Sequence, residues 1–413
     1  MPKVTAFNGL LFNPGKVSAK DVIAPPYDII SPEQKEALYA KSPYNIVRID
    51  FGKETAEDTA TNNKYTRAGI LLDEWIAKNI LVRDSELAFY ACTMDYTIMG
   101  VKKSLKGGLC LVQIVELNKG VWPHEETRAK PKADRMEIMR HCMSNLSPIY
   151  TIYSSAEKIT AGILDSMKDA PCMSALDANG TTHMLSRISD KARKEAISGE
   201  LSEKPLFIAD GHHRYEVALE FKKEMDLKTG RKDDGPRPWD YVLMFLAEMS
   251  GSGVTILPTH RLVKGISPKD RLFEKLKADF EIRELPAEAD ISKLVLGSAG
   301  HTLGMYLEAE HKWFALEYRG GELKDVHPAL RPLDVVILRE LILNREPVEE
   351  LAYEMSIDAA VGRARKGEFD AVFVVRPSSG ADIERVASAN LRMPAKSTYF
   401  YPKLMTGMVI NKF

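Results

Sequence analysis

Cysteine is scarce in this chain of 413 residues: Cys92, Cys110, Cys142 and Cys172 form no CxxC pair and no spacing typical of zinc ligation. Four buried thiols in a reducing compartment are therefore expected, rather than disulfides. A long apolar run is also absent. The longest, Tyr241 to Met249, is about half of what a transmembrane helix needs. Asn8, Asn13 and Pro14 interrupt the apolar residues at the N-terminus, which excludes the reading of an export signal and makes a cytoplasmic protein the expectation. There is no excess of one charge: 57 Lys plus Arg against 58 Asp plus Glu gives a net −1. Such a balance supplies no global field for nucleic acid or an anionic membrane, so neither is expected as a partner. Gly (26) and Pro (22) are near average usage, which excludes long low-complexity stretches. No GxSxG elbow, HExxH, Walker A loop or GxGxxG before a helix occurs. The usual hydrolase, zinc-protease and Rossmann readings therefore lack support.

What is present is an ordinary globular mix, 45% hydrophobic and 28% charged. At roughly 150 residues per domain, the length suggests two or three domains. The division placed best is 1–262 and 263–413, just after the His260 region. VIAPPYDII and NIVRIDFG read as extended pieces among turns, and Ala56 to Asn79 as a helix. LAFYACTMDYTI and GGLCLVQIVEL read as paired strands joined by KKSLKG as a polar connection. PLFIAD reads as a buried strand, HHRYEVALEFKKEM as a helix, and AVFVV as a later strand. Strands and helices mix without a strict βαβ rhythm, so the fold class is α+β (mixed α/β).

The most informative stretch is FIADGHHRYEVALEF. An apolar strand ends at Asp210, Gly211 permits a tight turn, and a helix starts at once. Unpaired N–H groups and the positive dipole end favour an anion there. His212, His213 and Arg214 in the first turn oppose the dipole, which makes sense if a phosphate sits between them. Asp210 is placed to hold Mg²⁺ or orient a hydroxyl, or it simply caps the helix. A second candidate, HEETRAKPKADR, offers Glu125 or Glu126 as a base and Lys132 and Arg135 for phosphate, although mixed charge runs are usually solvated loops. A third, LRMPAKSTYFYPKLMTG, gathers Lys396, Ser397, Thr398 and Lys403 among aromatics. It reads as a phosphate cradle without its Gly-rich loop, or as a strand with one buried face. Asp28, Asn45 and Arg48 lie near the start. Arg48 inside an apolar strand would need a carboxylate or a ligand phosphate.

The run DGHHRYEVA resembles the GxxRxxA box of the ParB/sulfiredoxin fold, where a helix N-terminus binds a nucleotide or phosphate. DGHHR is closer still to the free-serine kinases of that superfamily. The whole chain looks like a widespread bacterial and archaeal family labelled a domain of unknown function with ParB-like character. APPYDIIS, HEETRAKPKADR with NLSPIY, IADGHHRYEVAL, LPTHR and MPAKSTYFYPK carry that likeness along almost the full length. The resemblance implies a ParB/sulfiredoxin-like core around the DGHHR turn, with large additional α/β segments. It implies a phosphotransferase acting on the hydroxyl of free L-serine, with Mg²⁺ and pyrophosphate or a nucleotide as donor; a homodimer is allowed. By motif position Glu125, Asp210 and His213 would be catalytic, Asp210 also serving the metal. Gly211, His212, Arg214, Lys132, Arg135, Lys396, Ser397, Thr398 and Lys403 would bind the donor. Asp28, Asn45, Arg48 and Asn145 would bind the substrate. The rival is a nucleotide-binding regulatory module without catalysis.

Overall fold

A computed structural model describes the chain except Arg128, Lys168, Asp169, Asp234 and Glu322, and the side chains of Ala129 and Lys130. The chain divides into two units. The first comprises Met1–Pro123, Thr127–Thr255 and Pro402–Phe413; the second comprises His124–Glu126 and Ile256–Tyr401. No composition shift in the sequence announces either the His124–Glu126 excursion or the return at Pro402. Helices and strands mix in both units, and pairing is largely antiparallel, which is an α+β architecture.

The first unit is built on a nine-stranded sheet. Across it lie Val121–Trp122, Leu206–Asp210, Ile149–Tyr153, Tyr241–Glu248, Val101–Gln113, Phe89–Ile98, Thr182–Ile188 and Met173–Leu176, with Val4–Thr5 paired beside Val101–Gln113. The central strands are covered on both faces, which is why LFIA and VLMFLAE read as unbroken apolar runs. Val217, Ala218 and Phe221 of the helix His212–Lys228 pack into the same core as Met136 and Met139 of the helix Ala129–Cys142.

Three expectations are corrected here. KKSLKG is not a connection but the exposed first half of the strand Val101–Gln113, and the hairpin turns at Met99 and Gly100, both at positive φ. Its charges sit on a strand that is largely open to water, so composition resembles that of a loop. NIVRID is not extended: Asn45 Oδ1 accepts the Val47 N–H at 3.0 Å and opens the short helix Val47–Asp50. The expected helix from Ala56 starts only at Lys64, where Asn63 and Thr66 form a capping box, and runs to Ala77.

The four cysteines are unpaired, and Cys92, Cys110 and Cys142 are buried. Among the described residues no helix is long and apolar enough to cross a membrane.

The second unit carries a six-stranded sheet in the order Phe280–Glu284, Lys312–Tyr318, Thr302–Leu307, Ala371–Val374, His260–Lys264, Glu350–Glu354. Leu262, Val372, Val374, Ala360 and Ala364 form part of its apolar core. His260 is buried, and its Nδ1 accepts the Val375 N–H at 3.4 Å. Burial, and secondarily the Arg261 charge, push its pKa from 6.5 down to about 4. The unfolded chain thus binds a proton that the folded chain refuses. The stabilisation is complete above pH 6.5 and lost as pH falls toward 4, about 3 kcal/mol in all. Urea unfolding from pH 8 to pH 4 should show this loss in the wild type and a shallower one in His260→Gln. Equal slopes would show that His260 titrates alike in the folded and unfolded chains.

Candidate functional site

The strand Leu206–Asp210 runs antiparallel to Ile149–Tyr153, with Ile208 opposite Thr151 and Asp210 opposite Tyr150. The register slips by one residue between them. This bulge re-aims the strand end just before Asp210. Gly211 follows at φ 98°, and the helix His212–Lys228 begins without any side-chain cap. Asp210 therefore does not serve as the cap residue.

A Cβ at Gly211 would lie 3.0 to 3.1 Å from the Arg214 guanidinium. Glycine is required both by the positive φ and by this fold-back of Arg214 over the turn. Arg214 Nη1 donates to the Pro148 carbonyl and, at 3.3 Å, to Ser147 Oγ; Nη2 donates to Asp210 Oδ2 at 3.0 Å. The other Asp210 oxygen meets Lys403 Nζ at 3.2 Å. One carboxylate thus sits between two cations at the positive end of a helix. The local excess of positive charge suits an incoming anion. His212 is buried and His213 half-buried, as adjacent helical positions about 100° apart require.

Beside the turn lies a small cleft of about 40 Å³. Asp50, Arg135, Ser144, Asn145, Ser147 and Arg214 supply its polar lining, and Ile138, Met139, Leu146 and Val217 part of its apolar wall. Asn145 Oδ1 accepts from Leu243 N (3.1 Å) and Asn411 Nδ2 (3.0 Å), leaving its own Nδ2 without a partner among the described residues. Ser144 Oγ is buried and unsatisfied.

Arg135 is a cation of a different kind. Its guanidinium, 6% exposed, donates to Asp50 Oδ1 and Asp50 O (2.8 Å each) and to Asp134 Oδ2 (2.6 Å from Nη2, 3.0 Å from Nε). The Tyr27 ring lies 3.8 Å from it. Burial pushes the Tyr27 phenol up to about 12, against the opposing charges of Arg135 and Arg214. Arg214 is among those charges, so Tyr27 and the exposed Asp28 lie near the turn. Lys132 pairs with Glu216 (3.1 Å), one turn into the DGHHR helix, where Thr127 also donates at 2.8 Å.

The structure therefore brings together, in the first unit, the turn residues, Lys403, Asn145, Arg135 and the Tyr27–Asp28 step. Asn45 and Arg48 do not line the cleft. Asn45 Nδ2 donates to the carbonyls of Asp21 and Ile23, and Arg48 to those of Ser42 and Tyr39. The Arg48 guanidinium needs neither a carboxylate nor a phosphate, because helix-end carbonyls and the Tyr39 ring 4.4 Å away receive it.

A second group forms within the second unit. Glu125 Oε1 accepts from Thr398 N (2.9 Å) and Thr398 Oγ1 (3.0 Å), and His124 Nε2 lies 2.9 Å from the same hydroxyl. An ionised carboxylate only accepts, so Thr398 donates to Glu125 and His124 Nε2 carries the proton toward Thr398. Ser397 Oγ donates to the Pro394 carbonyl at 2.6 Å, and the Lys396 carbonyl receives Arg261 Nη2 at 3.2 Å. Sequence reasoning missed Tyr27, Asp50 and Ser147. Only the buried Arg135 hinted at Asp50, because such a cation must find a carboxylate somewhere.

A family model described as a protein of unknown function (DUF1015) matches residues 4–336. The chain belongs to the DUF1015 family. No curated protein matches it. Among solved structures, a free serine kinase variant in complex with AMP is similar at 16% identity and a TM-score of 0.38, covering 71% of this chain and 86% of that one. A conserved hypothetical protein from Pyrococcus furiosus is similar at 17% identity and a TM-score of 0.36, over 72% of this chain and 92% of its own. SbnI from Staphylococcus aureus, truncated at its C-terminus, is similar at 12% identity and 0.36, over 72% and 85%. In this DUF1015 protein no group of three or more His, Cys, Asp or Glu that could hold a metal occurs among the described residues.

Arg135→Met should cost about 3–5 kcal/mol in urea unfolding, because it strands the buried Asp50 carboxylate. Arg135→Lys should recover only part of it, since a point charge cannot reproduce the fork. Wild-type stability in both variants would show that the pair contributes nothing.

Proposed function

We propose that this DUF1015 protein is a phosphotransferase that moves a phosphoryl group from pyrophosphate or a nucleotide onto the hydroxyl of free L-serine. The observation that carries the reading is the Asp210 carboxylate held between Arg214 and Lys403 at the start of an uncapped helix. Phosphoryl transfer asks little covalent work of a protein. It needs cations on the equatorial oxygens and a hydroxyl held in line.

In this reading Arg214, Lys403, His212, His213 and the first-turn N–H groups hold the transferred phosphoryl group. Asn145 Nδ2 and Ser147 Oγ engage the serine in the cleft, with Asp28 toward its ammonium. The serine oxygen forms a bond to phosphorus while the bond to the leaving phosphate breaks, and the hydroxyl proton leaves to that phosphate or to water. Asp210 would hold Mg²⁺ together with phosphate oxygens of the donor. Bound there, it would neutralise charge on the donor.

The test is a donor screen with L-serine and Mg²⁺, offering pyrophosphate, ADP, ATP and CTP, with O-phosphoserine read by mass spectrometry. One donor should give product. Asp210→Asn should lower kcat about 100-fold or more with the fold intact, and His213→Ala should raise the donor KM. No product from folded protein with any donor would overturn the reading. Nucleotide binding without turnover would favour the regulatory module instead.

A further inference from the structure

A second polar cleft, about 330 Å³, lies wholly within the second unit and takes no part in the proposed phosphoryl transfer. It opens where the strand Ala371–Val374 ends and the helix Gly380–Ser388 begins. Its base is Asp334, 3% exposed at the side chain and fully satisfied. Oδ1 accepts from His301 Nδ1 (2.7 Å) and Arg376 Nη2 (3.0 Å), and Oδ2 from Arg376 Nε (3.1 Å) and Arg376 N (3.2 Å). Burial opposes its charge, but these donors win and hold the carboxyl below the ordinary range. Asp334 thus fixes two side chains at the cleft. His301 Nδ1 also lies 2.8 Å from Arg376 Nη2, so the ring is held between that guanidinium and the Asp334 carboxylate.

The rest of the lining divides by hydrogen-bonding sense. On the donor side, Arg376 Nη1 has only a long 3.5 Å bond to the Ser298 carbonyl. Ser378 is 6% exposed, and its hydroxyl has no partner among the described residues. The Ser379–Asp382 capping box satisfies the third N–H of the helix and leaves the first two to a ligand. The acceptor is the Asp382 carboxylate, braced by Ser379 and Arg385. Arg376 with Asp334, and Arg385 with Asp382, each sum to zero, so the cleft is not an electrostatic trap for a simple anion. It offers donors and a carboxylate side by side within a volume suited to a small molecule.

We infer that this cleft binds a small zwitterionic amino acid, with its carboxylate against Arg376, Ser378 and the helix start, and its ammonium against Asp382. It is a second ligand site, independent of the serine kinase reading.

The probe is glycine, which has no hydroxyl to phosphorylate, titrated into the full chain by ligand-observed NMR. Neither Ser378 nor Asp382 belongs to the first unit's site, so their variants report on this cleft. Glycine should bind there, and Ser378→Val and Asp382→Asn should each weaken binding at least fivefold. Asn at 382 can still accept in the capping box, and neither change unpairs Asp334, so both variants should keep the wild-type melting temperature. Acetate, methylamine and inorganic phosphate should bind at least tenfold more weakly than glycine. Absence of glycine binding, binding indifferent to both substitutions, or acetate or phosphate binding as well as glycine would each overturn the inference.

Discussion

The buried contact between Arg135 and Asp50 is the constraint on which the first unit's cleft depends. A guanidinium taken out of water is tolerable only with its fork filled, and here two carboxylates and a backbone carbonyl fill it. The consequence is positional. Arg135 anchors the helix Ala129–Cys142 to the short helix Val47–Asp50, and the Tyr27 ring stacks on the same group. The N-terminal block, the middle helix and the wall that carries Asn145 are thereby set around one ionic centre. Arg214 then faces that wall, its own charge met by Asp210 and the Pro148 carbonyl.

Two kinds of arginine thus border one cleft, and the difference between them is what makes a site. Arg135 has its donors answered by fixed protein acceptors. Arg214 shares its aspartate with Lys403, so two cations converge on one carboxylate. A cation in the first turn of a helix is locally unfavourable, because it meets the positive end of the dipole. An anion between Arg214, Lys403 and the helix start would remove that repulsion. The glycine before the helix belongs to the same logic, because any side chain at Gly211 would occupy the space into which Arg214 folds.

The strand, turn and helix around DGHHR were legible because each step has a local cause: an apolar run buried on both faces, a glycine at positive φ, a helix that starts at once. The elements that misled were those whose cause is not in composition. Asn45 turns NIVRID into helix through one side-chain hydrogen bond, whereas its alternating apolar residues suit a strand equally well. KKSLKG keeps its strand by pairing along Phe89–Ile98, although its exposed face is as charged as a loop. The α+β class survived both errors, since it needs only the balance of helices and strands.

The candidate residues were harder to read than the fold, for a reason of partners. Arg48, Arg135, Ser397 and Thr398 look like phosphate ligands in a sequence because their types can bind phosphate. Whether they do so depends on what already fills their hydrogen-bonding capacity. Arg135 meets a carboxylate 85 residues away, and Thr398 meets one 273 residues away. Neither pairing has any local signature. Asn145 shows the converse: its carbonyl oxygen is held by two donors, which fixes the amide and turns the remaining NH₂ toward the cleft. A polar group that is rigidly held at one atom and unsatisfied at the other recognises a ligand with little loss of rotamer freedom. By this criterion Asn145 in the first unit, and the Asp334-braced Arg376 in the second, are better recognition groups than the longer cation-rich runs that stand out in the sequence.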